Sequence, residues 1–381
     1  MVASLAAVEI SQVSRRAAPS VFPRPAAATS LGTRLLQQVQ SCARRQLLSQ
    51  PKALAQDFWG ATQRVSLVCF MEEVVLDPAG IVREDVEMRL QAVIAASGVA
   101  VPLPAARGVG RVALRLVSGS GLFTVPVRIG ARTLPFLLDT GASSTILTLG
   151  TARALGVPGT PFPSEVLRYF VVGQNCDRVA AELVAIPEVA VGRSQVVGLR
   201  GMALSPVGLP GGGVLGMDFL ANYDVLLNPR SRDLVLMARS PFPQDGIDLR
   251  GKLGVMTAPV SVNGRPAAPF LLDTGASVMV VSRRYAEALG LPLEQAEPVA
   301  VRGFCGMEKA LKTRLQTVAL GGWVRQNLEV VVLEGNLLAM LGVDGIVGQN
   351  FLSQFVQHWR FGDRLGLGFP QTGHLVLVPV D

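Results

Sequence analysis

Histidine is nearly missing: His358 and His374 are the two that occur in 381 residues, both close to the C-terminus. That scarcity leaves little material for a Ser–His or Cys–His nucleophile or for a histidine-based zinc site. Cysteine is scarce too. Cys42, Cys69, Cys176 and Cys305 show no metal-ligand spacing, so no metal is expected, and they do not indicate a disulfide scaffold. A membrane helix needs about 18 or more uncharged apolar residues in a row. The nearest approach, LEVVVLEGNLLAMLGVDGIVG at 328–348, is interrupted by Glu329, Glu334 and Asp344 and suits core strands better. No membrane span is expected. Acidic residues are almost absent from residues 1–56, where seven Lys or Arg face only Glu9, a local +6 out of a total of +7. The remainder is nearly neutral, which argues against a nucleic-acid-binding surface. An opening rich in Ala, Ser and Arg, without the compact apolar core of a secretory signal, has the composition of a transit peptide or of a disordered basic tail. Import into a plastid is the expectation, with the mitochondrion as the alternative.

What the chain has in quantity is glycine, proline and apolar residues: 40 Gly, 25 Pro and 49% hydrophobic content. This suits many short strands broken by turns. Within it the nine residues PFLLDTGAS occur twice, at 135–143 and 269–277. Each copy runs a short apolar strand, FLL, into one aspartate, Asp139 or Asp273. Two carboxyls brought together can share one proton, because like charges about 3 Å apart cannot both ionise. The ionised member can take a proton from water while the protonated one polarises a peptide carbonyl and later feeds the leaving amine. Gly141 and Gly275 permit a tight turn where two backbones approach on an axis, and Thr140 and Thr274 can hydrogen-bond across it. The Gly-rich stretch GLPGGGVLG at 208–216 is followed by no Gly-Lys-Ser or Gly-Lys-Thr, so it does not read as a phosphate loop.

On these residues the chain resembles the aspartic proteases of the pepsin and retropepsin clan, and each half resembles a retropepsin-type lobe with Asp-Thr-Gly-Ala. The 134 residues between Asp139 and Asp273 leave room for a compact all-β lobe and a linker. A second motif follows each aspartate in the same order, GGVLGMDFLANYDVLL at 212–227 and DGIVGQNFLSQFVQHW at 344–359. In the family such a strand and turn pack behind the catalytic loop, which assigns Val214, Leu215 and Gly216 to lobe one and Ile346, Val347 and Gly348 to lobe two. The resemblance implies an all-β fold of two tandem β-barrel lobes, 119–240 and 250–381, after a leader over 1–56 and a small segment of unknown role over 57–118. It implies a peptidase with catalytic Asp139 and Asp273 in one chain, supported by Thr140, Gly141, Ala142, Thr274, Gly275 and Ala276. A peptide or protein substrate, no cofactor and a monomer go with it. A catalytically inactive peptide-binding or scaffold protein on the same fold is the alternative, and pairing of lobes across a dimer is another. Ala142 and Ala276 stand where pepsins tend to have a hydroxyl residue, so the pair is expected to be less acid-shifted than theirs.

The family also places a β-hairpin flap between each aspartate and its second motif. VLRYFVVGQNCDRVAAELV at 166–184 is expected as two strands around a turn at Gly173, and PVAVRGFCGMEKALKTRL at 298–315 as a hairpin turning at Gly303 and Gly306. Tyr169 and Phe304 are the aromatic candidates for substrate contact. Cys176 and Cys305 fall near the two turns. Flaps that meet over a cleft would bring these thiols together, whereas on unrelated hairpins they are two small apolar residues. In the N-terminal segment, VSLVCF at 65–70 is expected as a strand and REDVEMRLQAVIAASG at 83–98 as a helix with a Gly stop.

Overall fold

The computed structural model describes residues 26–169, 176–205, 211–335, 337–364 and 368–380. They divide between two compact units that part after Pro102.

The first unit is helical. Helices Ala26–Leu48, Phe58–Phe70 and Val86–Ser97 form its body. Asp57 starts the second by accepting a bond from Gly60 N at 2.9 Å, which satisfies one of the amides a helix N-terminus leaves open. The third helix ends as expected at Gly98, in the left-handed conformation with φ 69°. Gly32 marks a close crossing, since a Cβ there would lie 1.9 Å from Ala92 O. The expected strand at 65–70 is instead part of the second helix. Val65, Leu67, Cys69 and Phe70 are all buried, and a helix covered on several sides shows the same unbroken apolar run as a buried strand. The stretch expected as leader also holds helix, over Ala26–Leu48 and Pro51–Gln56, and a Cys42–Cys69 disulfide crosses the expected boundary at residue 56. Its Ala, Leu, Gln and Arg are good helix formers as well as transit-like in composition. A second bond joins Cys176 to Cys305, so disulfides are present where no scaffold was indicated, and of the two readings of Cys176 and Cys305 the one that brings the thiols together is the one found. Pairing depends on Cα proximity in space, which spacing along the chain does not reveal.

The second unit is built of strands, laid down twice in the same order. Hairpins Phe123–Ile129/Arg132–Leu138 and Val255–Val262/Ala268–Leu272 lead into the two aspartates. In the second, Asn263 and Gly264 take positive φ (50° and 71°) and Arg265 N bonds Val262 O, a turn that suits the twist of a tight hairpin. After each aspartate come a short strand, Ile146–Thr148 or Met279–Ser282, and a short helix capped by Thr148 or Ser282. Long hairpins follow, Ala181–Val191/Ser194–Leu204 and Gly306–Leu320/Trp323–Leu333. Then strand Gly213–Leu215 inserts between Arg132–Leu138 and Ile146–Thr148, and Gly345–Val347 inserts in the same way in lobe two. Phe136, Val214, Leu215, Phe270, Leu272 and Val347 are fully or almost fully buried, so the strands carrying the aspartates are held from both sides.

The lobes share a sheet. Asp224–Asn228 of lobe one pairs with Phe355–Phe361 of lobe two, which pairs in turn with Thr372–Pro379. Trp359, Phe355 and Phe361 are buried along this seam. Part of the segment of unknown role, 57–118, packs on lobe one: Gly110–Ala113 pairs with Asp233–Met237, and Ala105–Arg107 with Gln195–Val197. Edge strands this short read as loop in a sequence, since their partners lie far along the chain.

Candidate active site

Asp139 and Asp273 leave their strands at matching points, where Asp139 N donates to Leu215 O at 3.2 Å and Asp273 N to Val347 O at 3.0 Å. The two turns then interlock. Thr140 Oγ1 donates to Leu272 O at 2.8 Å and Thr274 Oγ1 to Leu138 O at 2.9 Å. Each hydroxyl also accepts the other threonine's amide, at 3.0 and 3.1 Å. Four buried hydrogen bonds therefore cross from lobe to lobe under the aspartates, and a hydrogen bond of this kind is valuable chiefly because its loss leaves a buried group unpaired.

The glycines explain how close the lobes come. A Cβ on Gly141 would lie 2.4 Å from the carboxyl carbon of Asp273, and one on Gly275 would lie 2.5 Å from that of Asp139. Each lobe's turn is thus packed against the other lobe's carboxyl. Gly141 N and Ala142 N donate to Asp139 Oδ1 at 2.7 and 3.0 Å, and Gly275 N to Asp273 Oδ1 at 2.7 Å. The carboxyls hydrogen-bond one another. Burial, then the charge of Asp273, pushes Asp139 well above the usual carboxylate range. Burial raises Asp273 as well, but the bond it receives from Asp139 and surrounding amides oppose the rise. Buried and in contact, the two carboxyls share one proton, which belongs to the pair.

Sequence reasoning passed over the residues that brace these turns. Asp218, buried in the short helix Met217–Leu220, accepts through Oδ1 from Thr145 N and Thr145 Oγ1, both at 2.8 Å, and from Phe219 N at 2.9 Å. Asn350 holds the matching place in lobe two, where its Oδ1 accepts from Met279 N at 2.9 Å and its Nδ2 donates to Glu329 O at 2.8 Å. Gln349 adds a bond from Nε2 to Thr274 O at 3.0 Å. The signal was present, since Asp218 and Asn350 both stand two places after the glycine of the second motif.

Burial lifts the Asp218 carboxyl to about 6 against the bonds that Thr145 and Phe219 donate. A carboxyl raised on folding favours the neutral form, so its contribution to stability is full below about pH 3.8 and is lost as pH rises through 6. The loss amounts to about 3 kcal/mol. Asp218→Asn, which copies the lobe-two arrangement, is expected to fold and to flatten the stability curve between these pH values. Denaturant melts of both proteins across pH 4–7 check this, and parallel curves would refute it.

The proposed flaps fare differently. In lobe two, Glu297–Gly303 and Gly306–Leu320 form the expected hairpin, with Gly303 paired to Gly306 and half-buried Phe304 in its two-residue tip. In lobe one the expected pair of strands is not formed. Ser164–Tyr169 and Cys176–Arg178 are 3₁₀ turns, Tyr169 is half-buried, and Gly173 lies outside the described residues. Strand Gly159–Phe162 takes the pairing with Ala181–Val184 instead.

The model of the gag-polyprotein putative aspartyl protease family matches twice, at residues 125–222 and 258–354, together just over half of the chain. Among solved structures, a retropepsin-like aspartic protease from Rickettsia conorii matches at 19% identity and a TM-score of 0.24, covering 35% of this chain and 94% of that one. No curated protein matches the sequence. With each aspartate inside one of the two matches, the chain belongs to the gag-polyprotein aspartyl protease family and carries two retropepsin-like lobes in tandem.

Proposed function

We propose that this chain is an aspartic-type endopeptidase whose catalytic pair, Asp139 and Asp273, forms within one molecule. The observation that carries this reading is the mutual packing of each lobe's glycine against the other lobe's carboxyl, which leaves the two acids close enough to hydrogen-bond and share a proton. Asp273, ionised, takes a proton from a water set between the two carboxyls, and protonated Asp139 donates to the oxygen of the scissile carbonyl as the water oxygen attacks its carbon. In the second half the proton held by Asp273 passes to the amide nitrogen as the C–N bond breaks, and the resting proton returns to Asp139. Thr140, Thr274 and the turn amides hold the carboxyls in place without touching the substrate.

Incubation of the chain with a mixed peptide library, with and without pepstatin, tests the reading directly. Pepstatin-sensitive cleavage is the expected result. Absence of cleavage across the pH range would favour a peptide-binding or scaffold protein on the same fold. With no hydroxyl at Ala142 or Ala276, the pH–rate profile is expected to lie above pepsin's, and a peak below about 3 would contradict this.

Both half-sites lie in one chain and the lobes share a sheet, so activity is expected to be first order in protein. A steep fall in specific activity on dilution to nanomolar concentration, with dimers in light scattering, would overturn the monomer. The basic opening supports import into a plastid, or failing that a mitochondrion. The removable leader in this proposal lies within residues 1–56. A fusion of that segment to a fluorescent protein that stayed in the cytosol would count against it.

A further inference from the structure

The lobe-two hairpin is longer than the sheet that supports it. Glu297–Gly303 pairs with residues 306–312, but strand Trp323–Leu333 joins Gly306–Leu320 only from Ala310 onward. Residues 300–309 therefore form a two-stranded arm that reaches past the Trp323–Leu333 strand, an element of a kind that opens at low cost in free energy because few neighbours share its hydrogen bonds. Its tip is nevertheless buried. Cys305, in the two-residue turn, is 2% exposed, and Cys176 of lobe one, to which it is bonded, is 4% exposed.

This bond adds little to the association of the lobes. They are already joined by the chain, by the shared sheet and by the threonine crossing. What it does constrain is the arm, and with it Phe304, the residue beside Cys305. Lobe one presents no matching hairpin among the described residues.

We propose that the Cys176–Cys305 disulfide is a latch that holds the lobe-two arm onto lobe one and restricts entry of peptide to the Asp139–Asp273 site until a dithiol reduces it. The inference rests on the protease reading for its consequence, not for its geometry. A thiolate of the dithiol attacks one sulfur of the bond and releases the other as a thiolate, giving a mixed disulfide. The second thiol of the reductant then closes its own disulfide and releases the first cysteine. Two electrons and two protons pass to the protein, which ends with two thiols. Because both sulfurs are shielded, attack follows local opening of the arm.

The test compares the oxidised full chain, the chain treated with dithiothreitol, and Cys305→Ser and Cys176→Ser variants kept oxidised so that Cys42–Cys69 stays intact. Three quantities are measured in each: amide exchange over 300–309, the association rate of pepstatin, and turnover of the peptide library. Reduction and both variants are expected to speed exchange of the arm and to raise association and turnover several-fold. Unchanged exchange and association would overturn the latch, whatever the turnover. So would a change on reduction that neither variant reproduces, which assigns the effect to Cys42–Cys69. If the arm is freed and pepstatin binds faster while no form cleaves peptide, the latch stands and the protease reading falls. If all forms cleave equally and the arm is unaltered, the protease reading stands and the latch falls.

Discussion

Asp139→Asn and Asp273→Asn are each expected to lower peptide cleavage by about 10²-fold or more, the effect of removing a positioned acid or base. An amide is close in size to a carboxyl, and the amides of Gly141, Ala142 and Gly275 that now donate to Asp139 and Asp273 keep an oxygen to meet. The fold is therefore expected to survive while the shared proton does not. Neither residue can take both roles, so the single variants and the double variant should be nearly alike, as groups acting as a unit are not additive. Single-turnover assays on purified variants, with circular dichroism to confirm the fold, check this. Near-normal turnover in either single variant would end the two-lobe mechanism.

Thr274→Ala is expected to cost about 4 kcal/mol, because it strands two buried groups, Thr140 N and Leu138 O, and each orphan costs about 1–3 kcal/mol. Thr274 is 1% exposed, which leaves no water to take the place of its hydroxyl. Thr274→Ser keeps the hydroxyl and loses one methyl, so it is expected to cost about 1 kcal/mol. Urea unfolding of the three proteins measures both. The contrast separates the lobe-to-lobe hydrogen bonds from simple loss of volume, and similar melts for the Ala and Ser variants would show that the crossing carries no weight.

Much of the site was legible because it is local and repeated. An apolar run ending in Asp-Thr-Gly specifies a buried strand, a turn and a carboxyl within a few residues, and a second identical copy in one chain specifies a partner for it. The lobe-two hairpin at 298–315 was legible for the same reason, since strand, glycine turn and strand follow one another directly. The lobe-one segment at 166–184 has a similar look but lacks the neighbour that would complete its ladder. Its register is taken by Gly159–Phe162, and nothing within the segment itself reports that competition. The run VSLVCF failed for a related reason. Its burial on several sides erases the period that separates helix from strand.

From sequence alone came the duplicated lobes, the order of their strands around each aspartate, and the identity of the two acids, all of which are set by contiguous residues. Tertiary structure alone decided three other matters. It closed the Cys42–Cys69 and Cys176–Cys305 bonds, drew residues 26–56 into a helical unit with the segment that follows, and buried the Asp139 and Asp273 carboxyls in hydrogen-bonding contact. These depend on which distant groups come within a few ångströms of one another and on how completely water is excluded around them. Two copies of the same nine residues are separate carboxylates until the chain folds, and only the fold brings them close enough, and dry enough, to share a proton.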